Sequence, residues 1–115
     1  MKTKPEKVFQ ALSDMNRIRI LKMLEVRPLC VCEITSVLNL ATSTVSKHLS
    51  LLRDADLLRD RKDGKWIYYE LNKTPEEASL KDLLAVFSKW LEQDGTIAAD
   101  RKKAKTVDKE KSCGV

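Results

Sequence analysis

Apolar positions in this chain recur at helical spacing, then alternate briefly as in a strand, then return to helical spacing. Pro5 suits a first helical position, and Val8, Phe9 and Leu12 follow at helix spacing, predicting a short helix to about Ser13. Ser13 or Asp14 can cap the next helix, whose stripe of Ile18, Leu21 and Leu24 is widened by Ile20 and Met23. A helix apolar over so much of its circumference belongs at the centre, and Pro28 ends it. A third, short helix runs from the cysteines to Leu38, with Val31, Ile34, Val37 and Leu38 on one face. Asn39-Leu40-Ala41 reads as a turn, and Thr42 or Ser43 caps a fourth helix reaching about Ala55. From Leu57 two β-prone runs flank Lys62-Asp63-Gly64-Lys65, and Asp-Gly in that position is a strong hairpin signal. Thr74, Pro75 and Glu77 then form a helix start with a capping box. Leu80, Leu83, Leu84, Phe87, Trp90 and Leu91 mark one long stripe, closed by Gly95. The expected fold is mainly α with a small β-hairpin. Residues 1–95 form the domain, and 96–115 a charged, mobile tail.

The fourth helix has two unlike faces. Val45, Leu49 and Leu52 form its buried side. The opposite side carries Ser43, Lys47 and Ser50, flanked by Thr44, Ser46 and His48, with no acidic residue before Asp54. A short helix, a tight turn and a second helix with one hydrogen-bonding face is the helix-turn-helix pattern. Small hydroxyls and a cation let such a helix come close to base edges in the major groove. The bland alternative is an amphipathic surface helix. The hairpin that follows presents Arg61, Lys62 and Lys65 at its tip, which makes it a wing placed against phosphates rather than a merely solvated turn. The last stripe is wider than one small domain needs, so part of it is expected to face a second subunit.

Composition narrows the chemistry. At 115 residues, 43% hydrophobic and 34% charged, the chain has the make-up of one globular domain. Its first residues, Met1-Lys2-Thr3-Lys4-Pro5, lack a secretion signal's apolar segment, and no run approaches a membrane span. A cytoplasmic protein is expected. The net charge of +5 fits a nucleic-acid partner without requiring one. Three cysteines do not make a disulfide framework, and in a reducing compartment they remain thiols suited to soft metals or metalloids. Cys30 and Cys32 stand near a helix start, where the dipole favours thiolate. On a regular helix, residues two apart point about 200° apart. An ion shared by both sulfurs would therefore need a distorted first turn, and could displace the DNA-reading helix behind it. Alternatively both are small buried hydrophobes. An enzyme is not expected, since there is no Cys-x-x-Cys and no phosphate-cradling glycine loop.

Three segments together carry a family resemblance: Pro28-Leu29-Cys30-Val31-Cys32-Glu33-Ile34, Ser43 to Leu52, and Arg59 to Tyr69. They closely resemble the ArsR/SmtB metalloregulators, and within them the arsenic-responsive repressors, over roughly residues 8–91. The resemblance implies a homodimeric winged helix-turn-helix repressor on a pseudo-palindromic operator of double-stranded DNA. It implies no permanent cofactor, and release when As(III) or Sb(III) occupies the thiolates. Relatives with extra N-terminal cysteines sense cadmium or lead; here no cysteine precedes Cys30. Relatives that bind zinc use histidines on the last helix, and residues 76–94 contain none. Some arsenic sensors carry a third cysteine where this chain has Thr35, so Cys113 on the tail is a candidate third ligand. A redox- or Cd/Pb-responsive repressor on the same fold is the alternative. His48, the single histidine, is read as a DNA-contacting or helix-surface residue.

Overall fold

Ile20, Leu21, Met23 and Leu24 are all buried on one helix, α2 (Met15–Leu24), which makes it the central helix that its wide stripe predicts. Its entry is set by Asp14, whose carboxylate accepts from the backbone N–H of Asn16 at 2.8 Å and of Arg17 at 3.2 Å. Partial burial works against the Asp14 charge, but these N–H groups and the Arg17 guanidinium outweigh it and hold the carboxyl below its ordinary value of 3.8. Asp14→Ala is therefore expected to cost about 1 kcal/mol at neutral pH. A carboxyl depressed in the folded state stabilises above its unfolded pKa and loses that contribution as pH falls through the folded one. The gap between wild type and variant in urea melts should therefore narrow below about pH 4.

This computed structural model describes residues 4–112. Around α2 the order is α1 (Pro5–Ala11), β1 (Leu29–Cys30), α3 (Val31–Leu38), α4 (Thr42–Asp54), β2 (Leu58–Asp63) and β3 (Trp66–Leu71). Then come α5 (Ala78–Phe87), α6 (Gly95–Thr106) and α7 (Lys109–Ser112). The α3–α4 turn closes on Asn39 at φ +57, a left-handed cap of the kind asparagine tolerates. Helix α4 begins at Thr42 behind Ala41, with no side-chain cap from Thr42 or Ser43. Val45, Leu49 and Leu52 on α4 are fully buried, as their spacing predicts.

The expected hairpin is present, with Asp63 opposite Trp66 and Gly64 at φ +62 in a two-residue turn that requires a positive φ there. It is not alone. Leu29 pairs with Tyr69 and Cys30 with Tyr68, so the sheet has three antiparallel strands in the order β1-β3-β2. Two residues are too short a run for sequence periodicity to reveal.

Two readings of the C-terminal half are corrected. The single long helix over the Leu80–Leu91 stripe stops at Phe87, and α5 starts at Ala78 behind Glu77, with no side-chain cap there. The buried ammonium of Lys22 ends it, donating to the carbonyls of Ser88 at 3.1 Å and Phe87 at 3.5 Å while pairing with Glu25 at 3.0 Å. The chain reverses through Leu91 at φ +63, and Trp90 is left 61% exposed. Gly95 opens α6 instead of closing the preceding helix, and the Asp94 carboxylate caps α6 by accepting from Ile97 N–H at 3.0 Å.

The segment read as a mobile tail is helical through Thr106 and packed on α2 and α3. Ile97 and Ala104 join the buried set. Asp100, 2% exposed, accepts from Arg19 Nε at 2.8 Å and Nη2 at 3.0 Å, while Arg101 pairs with Glu25. Composition alone made this stretch look solvated. Ile97, Asp100 and Ala104 fall on one buried side, and Asp100 meets the half-buried guanidinium of Arg19.

Candidate DNA-binding face and thiol site

Burial of Val45, Leu49 and Leu52 turns the other side of α4 outward. Ser43, Thr44, Ser46, Lys47 and Ser50 are exposed there, and His48 is half-buried. With Arg17 and Leu51, four of these residues line an open concavity of about 520 Å³: Ser43, Thr44, Lys47 and His48. The hairpin extends the same basic character. Arg61, Lys62 and Lys65 are all exposed, and Arg53 near the end of α4 pairs with Asp60 of β2 at 3.0 Å. Arg61 is not a loose cation. It donates to Glu70 at 3.1 Å and stands 5.2 Å from the Tyr68 ring. Lys65 lies 5.1 Å from the Trp66 ring. Aromatic faces thus hold two of the three wing cations extended, as cation–π attraction favours.

The cysteines divide between two environments. Cys30 closes β1 and is the N-cap of α3, with extended backbone at φ −86, ψ 166. It therefore lies outside the helix, and the 200° separation of a regular helix does not apply to the pair. Cys30 is 2% exposed and a free thiol. It occupies the position of Ser or Thr in a capping box. Glu33 Oε1 accepts from Cys30 N–H at 3.0 Å, while the Glu33 backbone N–H is directed at the sulfur. Burial pushes the Cys30 thiol pKa up from its usual 9.0; the Glu33 N–H opposes this and the Glu33 carboxylate adds to it. Cys32, in the first turn of α3, is half-buried and disulfide-bonded. Cys113 lies outside the described residues. Among the described residues no group of three His, Cys, Asp or Glu side chains is placed to hold a metal ion.

Glu33 links the thiol to the rest of the molecule. Its other oxygen accepts from Arg27 Nη2 at 3.2 Å. Arg27 also donates to the carbonyls of Ala104 at 3.0 Å and Val107 at 2.8 Å, where α6 ends and its carbonyls lack helical partners. Beyond that end, Lys109 lies 5.6 Å from the Trp66 ring and 5.5 Å from the Tyr68 ring. The cap of α3, the end of α6 and strand β3 of the wing are therefore in one network around Cys30. Sequence reasoning did not single out Glu33, Arg27 or Arg17. A C-x-x-E spacing was available for Glu33, had cysteine been admitted as a cap. No local pattern marks Arg27 or Arg17, and each has a partner far along the chain, Ala104 and Val107 for Arg27 and His48 for Arg17.

Comparison with known proteins agrees with this geometry. The family described as "Bacterial regulatory protein, arsR family" matches residues 14–60. An arsenic resistance transcriptional regulator of Pseudomonas putida is 38% identical over 84% of this chain and 78% of its own. An arsenical resistance operon repressor of Escherichia coli is 42% identical over 59% of each. Among solved structures, HlyU from Vibrio cholerae superposes with a TM-score of 0.59 at 30% identity, over 70% of this chain and 83% of that one.

Proposed function

Because this chain belongs to the ArsR family of bacterial transcriptional regulators and is not an enzyme, we propose that it is a homodimeric, thiol-gated repressor. In this reading α4 and the wing hold operator DNA, and As(III) or Sb(III) binding at Cys30 and Cys32 releases it. The observation that carries the reading is the place of Cys30. Its side chain caps α3, which buttresses α4, and its backbone pairs with Tyr68, whose other neighbour across the sheet is Arg61 of the wing. A ligand that takes the Cys30 sulfur withdraws it from the Glu33 N–H. It thereby acts on both DNA-reading elements through their supports, which is the differential contact a two-state switch needs.

The burial of Cys30 as a free thiol favours arsenite over a divalent ion. Arsenite takes up a thiol by losing hydroxide, and the thiol proton leaves with it as water. Cadmium or lead must instead drive that proton into solvent. Within the described residues Cys30 is a free thiol and Cys32 becomes one on reduction of its disulfide, and Cys113 is the candidate for a third. The curated relatives named above carry arsenic in their names, which supports the same choice.

The dimer is proposed along α1 and α5. Phe9 and Val86 are exposed there, beside an apolar groove lined by Pro5, Val8, Leu80 and Leu83. No helix among the described residues is long and apolar enough to cross a membrane, which is consistent with action on DNA in the cytoplasm.

A second reading rests on Cys32. Its disulfide favours a redox-responsive repressor, in which thiol oxidation rather than metalloid capture releases DNA. Fluorescence anisotropy decides between the two, using a labelled duplex from the promoter of the gene that encodes the protein. Loss of anisotropy on arsenite addition under reducing conditions supports the metalloid reading. Release by low peroxide with arsenite inert supports the redox reading. Inertness to both returns the inducer to cadmium or lead.

Lys47→Ala tests the DNA face. Affinity should fall, and the slope of log K against log salt should become shallower by about one, the signature of one lost phosphate contact. An unchanged slope removes Lys47 from the interface.

A further inference from the structure

Arg17 is nearly buried at the start of α2, with 11% of its side chain exposed. It reaches across to the DNA-facing helix. Its Nε donates to the carbonyl of Ala11 at 2.7 Å and its Nη2 to that of Gln10 at 3.1 Å, which closes the end of α1. Its Nη1 lies 3.2 Å from Nδ1 of His48 on α4. A guanidinium has five donors and no acceptor, so the contact exists only if Nδ1 carries a lone pair. The neutral ring then bears its proton on Nε2. Asp14, 4.0 Å from the same Nη1, helps keep the guanidinium in place from the other side.

We propose that Arg17 is a positioning residue for DNA recognition: it fixes His48 as the Nε2–H tautomer, so that α4 offers the nucleic acid a hydrogen-bond donor at that position. The two ring nitrogens face different ways, so locking Nδ1 inward leaves Nε2–H for the concavity that His48 shares with Ser43, Thr44 and Lys47. Purine N7 and the O6 and O4 oxygens are the acceptors a fixed donor there would read, and phosphate oxygens accept equally. Without Arg17 the ring would sample both tautomers, and half of its hydrogen-bonding character would be of the wrong kind. The proposal rests on α4 being the DNA-reading helix. It adds a determinant that acts through His48, since three of the five guanidinium donors of Arg17 are engaged by Ala11, Gln10 and His48.

The test uses the fact that His48 is the single histidine of the chain. Long-range proton–nitrogen correlation on the uniformly labelled full chain at neutral pH then reports one ring without assignment. Wild type should show the proton on Nε2, and Arg17→Ala a mixture. In anisotropy titrations with the labelled promoter duplex, His48→Gln, whose amide N–H reproduces an Nε2 donor, should bind like wild type. His48→Asn, which reproduces the Nδ1 side, should bind roughly fivefold more weakly, about one net hydrogen bond. Arg17→Ala should lose a similar factor in the His48 background and little in the His48→Gln background. A wild-type ring protonated on Nδ1 overturns the proposal. So does an equal loss from Arg17→Ala in both backgrounds, which would mark Arg17 as a purely structural support. Should Arg17→Ala not fold, the wild-type tautomer and the Gln/Asn pair decide by themselves. If the tautomer is as expected and neither His48 variant alters affinity, the recognition role of Arg17 fails while the repressor reading stands. If wild type binds no duplex, the repressor reading fails with it.

Discussion

Cys30→Ser is expected to bind operator DNA as tightly as wild type and to remain bound at arsenite concentrations that strip wild type from it. Both halves follow from the site. Cys30 occupies an N-cap in a capping box with Glu33, and serine is among the best residues for that position. The fold, and with it the DNA face, should therefore be kept or slightly strengthened. Serine, however, offers no soft sulfur to a metalloid. The expected shift in the arsenite midpoint is at least about a hundredfold, since losing one of two soft ligands removes most of a chelate's advantage. Cys32→Ser should behave alike, with one difference that separates the two readings of function. If oxidation at Cys32 is the trigger, Cys32→Ser abolishes release by peroxide, while in Cys30→Ser that release persists. A Cys30→Ser protein that still releases at wild-type arsenite would end the thiolate mechanism.

Arg19→Ala is expected to be the most destabilising of the surface-side substitutions, at about 3 kcal/mol, because it leaves the Asp100 carboxylate buried without its cation. In thermal melts that corresponds to a fall of roughly 10–15 °C for a domain of this size. Asp100→Ala alone should cost less, since Arg19 retains some exposure and a second contact to Asn16 at 3.3 Å. The double variant should recover part of the Arg19→Ala loss, giving a coupling energy of about 1 kcal/mol or more. This measurement also decides whether α6 is an integral part of the domain. A freely moving tail would make both single substitutions nearly silent, within about 0.5 kcal/mol.

The docking of α6 bears on the proposed thiol switch. Arg27 connects Glu33 of the Cys30 cap to the last carbonyls of α6, and Lys109 just beyond lies against Trp66 and Tyr68 of the wing. In the proposed mechanism two contact routes link Cys30 to the wing, one through β1 to β3 and one through Arg27 to the C-terminal helices.

What the chain determines by its local pattern is the helix-turn-helix and its wing. Val45, Leu49 and Leu52 could only face inward, so Ser43, Lys47 and Ser50 could only face outward, and the Asp63-Gly64 pair marked the hairpin, whose turn is Gly64-Lys65. Helical and strand periods are local properties, and these segments are long enough to express them. The cysteine pair was equally legible as chemistry. Its geometry was not, because whether Cys30 begins a helix or ends a strand depends on Tyr68, far along the chain, accepting it as a sheet partner. The same holds for the C-terminal region. Lys22 stops α5 and Arg19 draws Asp100 inward, and both are long-range contacts that no window of sequence contains. Charge-rich composition read alone sends residues 96–106 into solvent. Only the tertiary structure supplies Arg19 and Arg27, whose guanidinium groups take Asp100 and the carbonyls at the end of α6 and bring them back onto the core and beside the thiol.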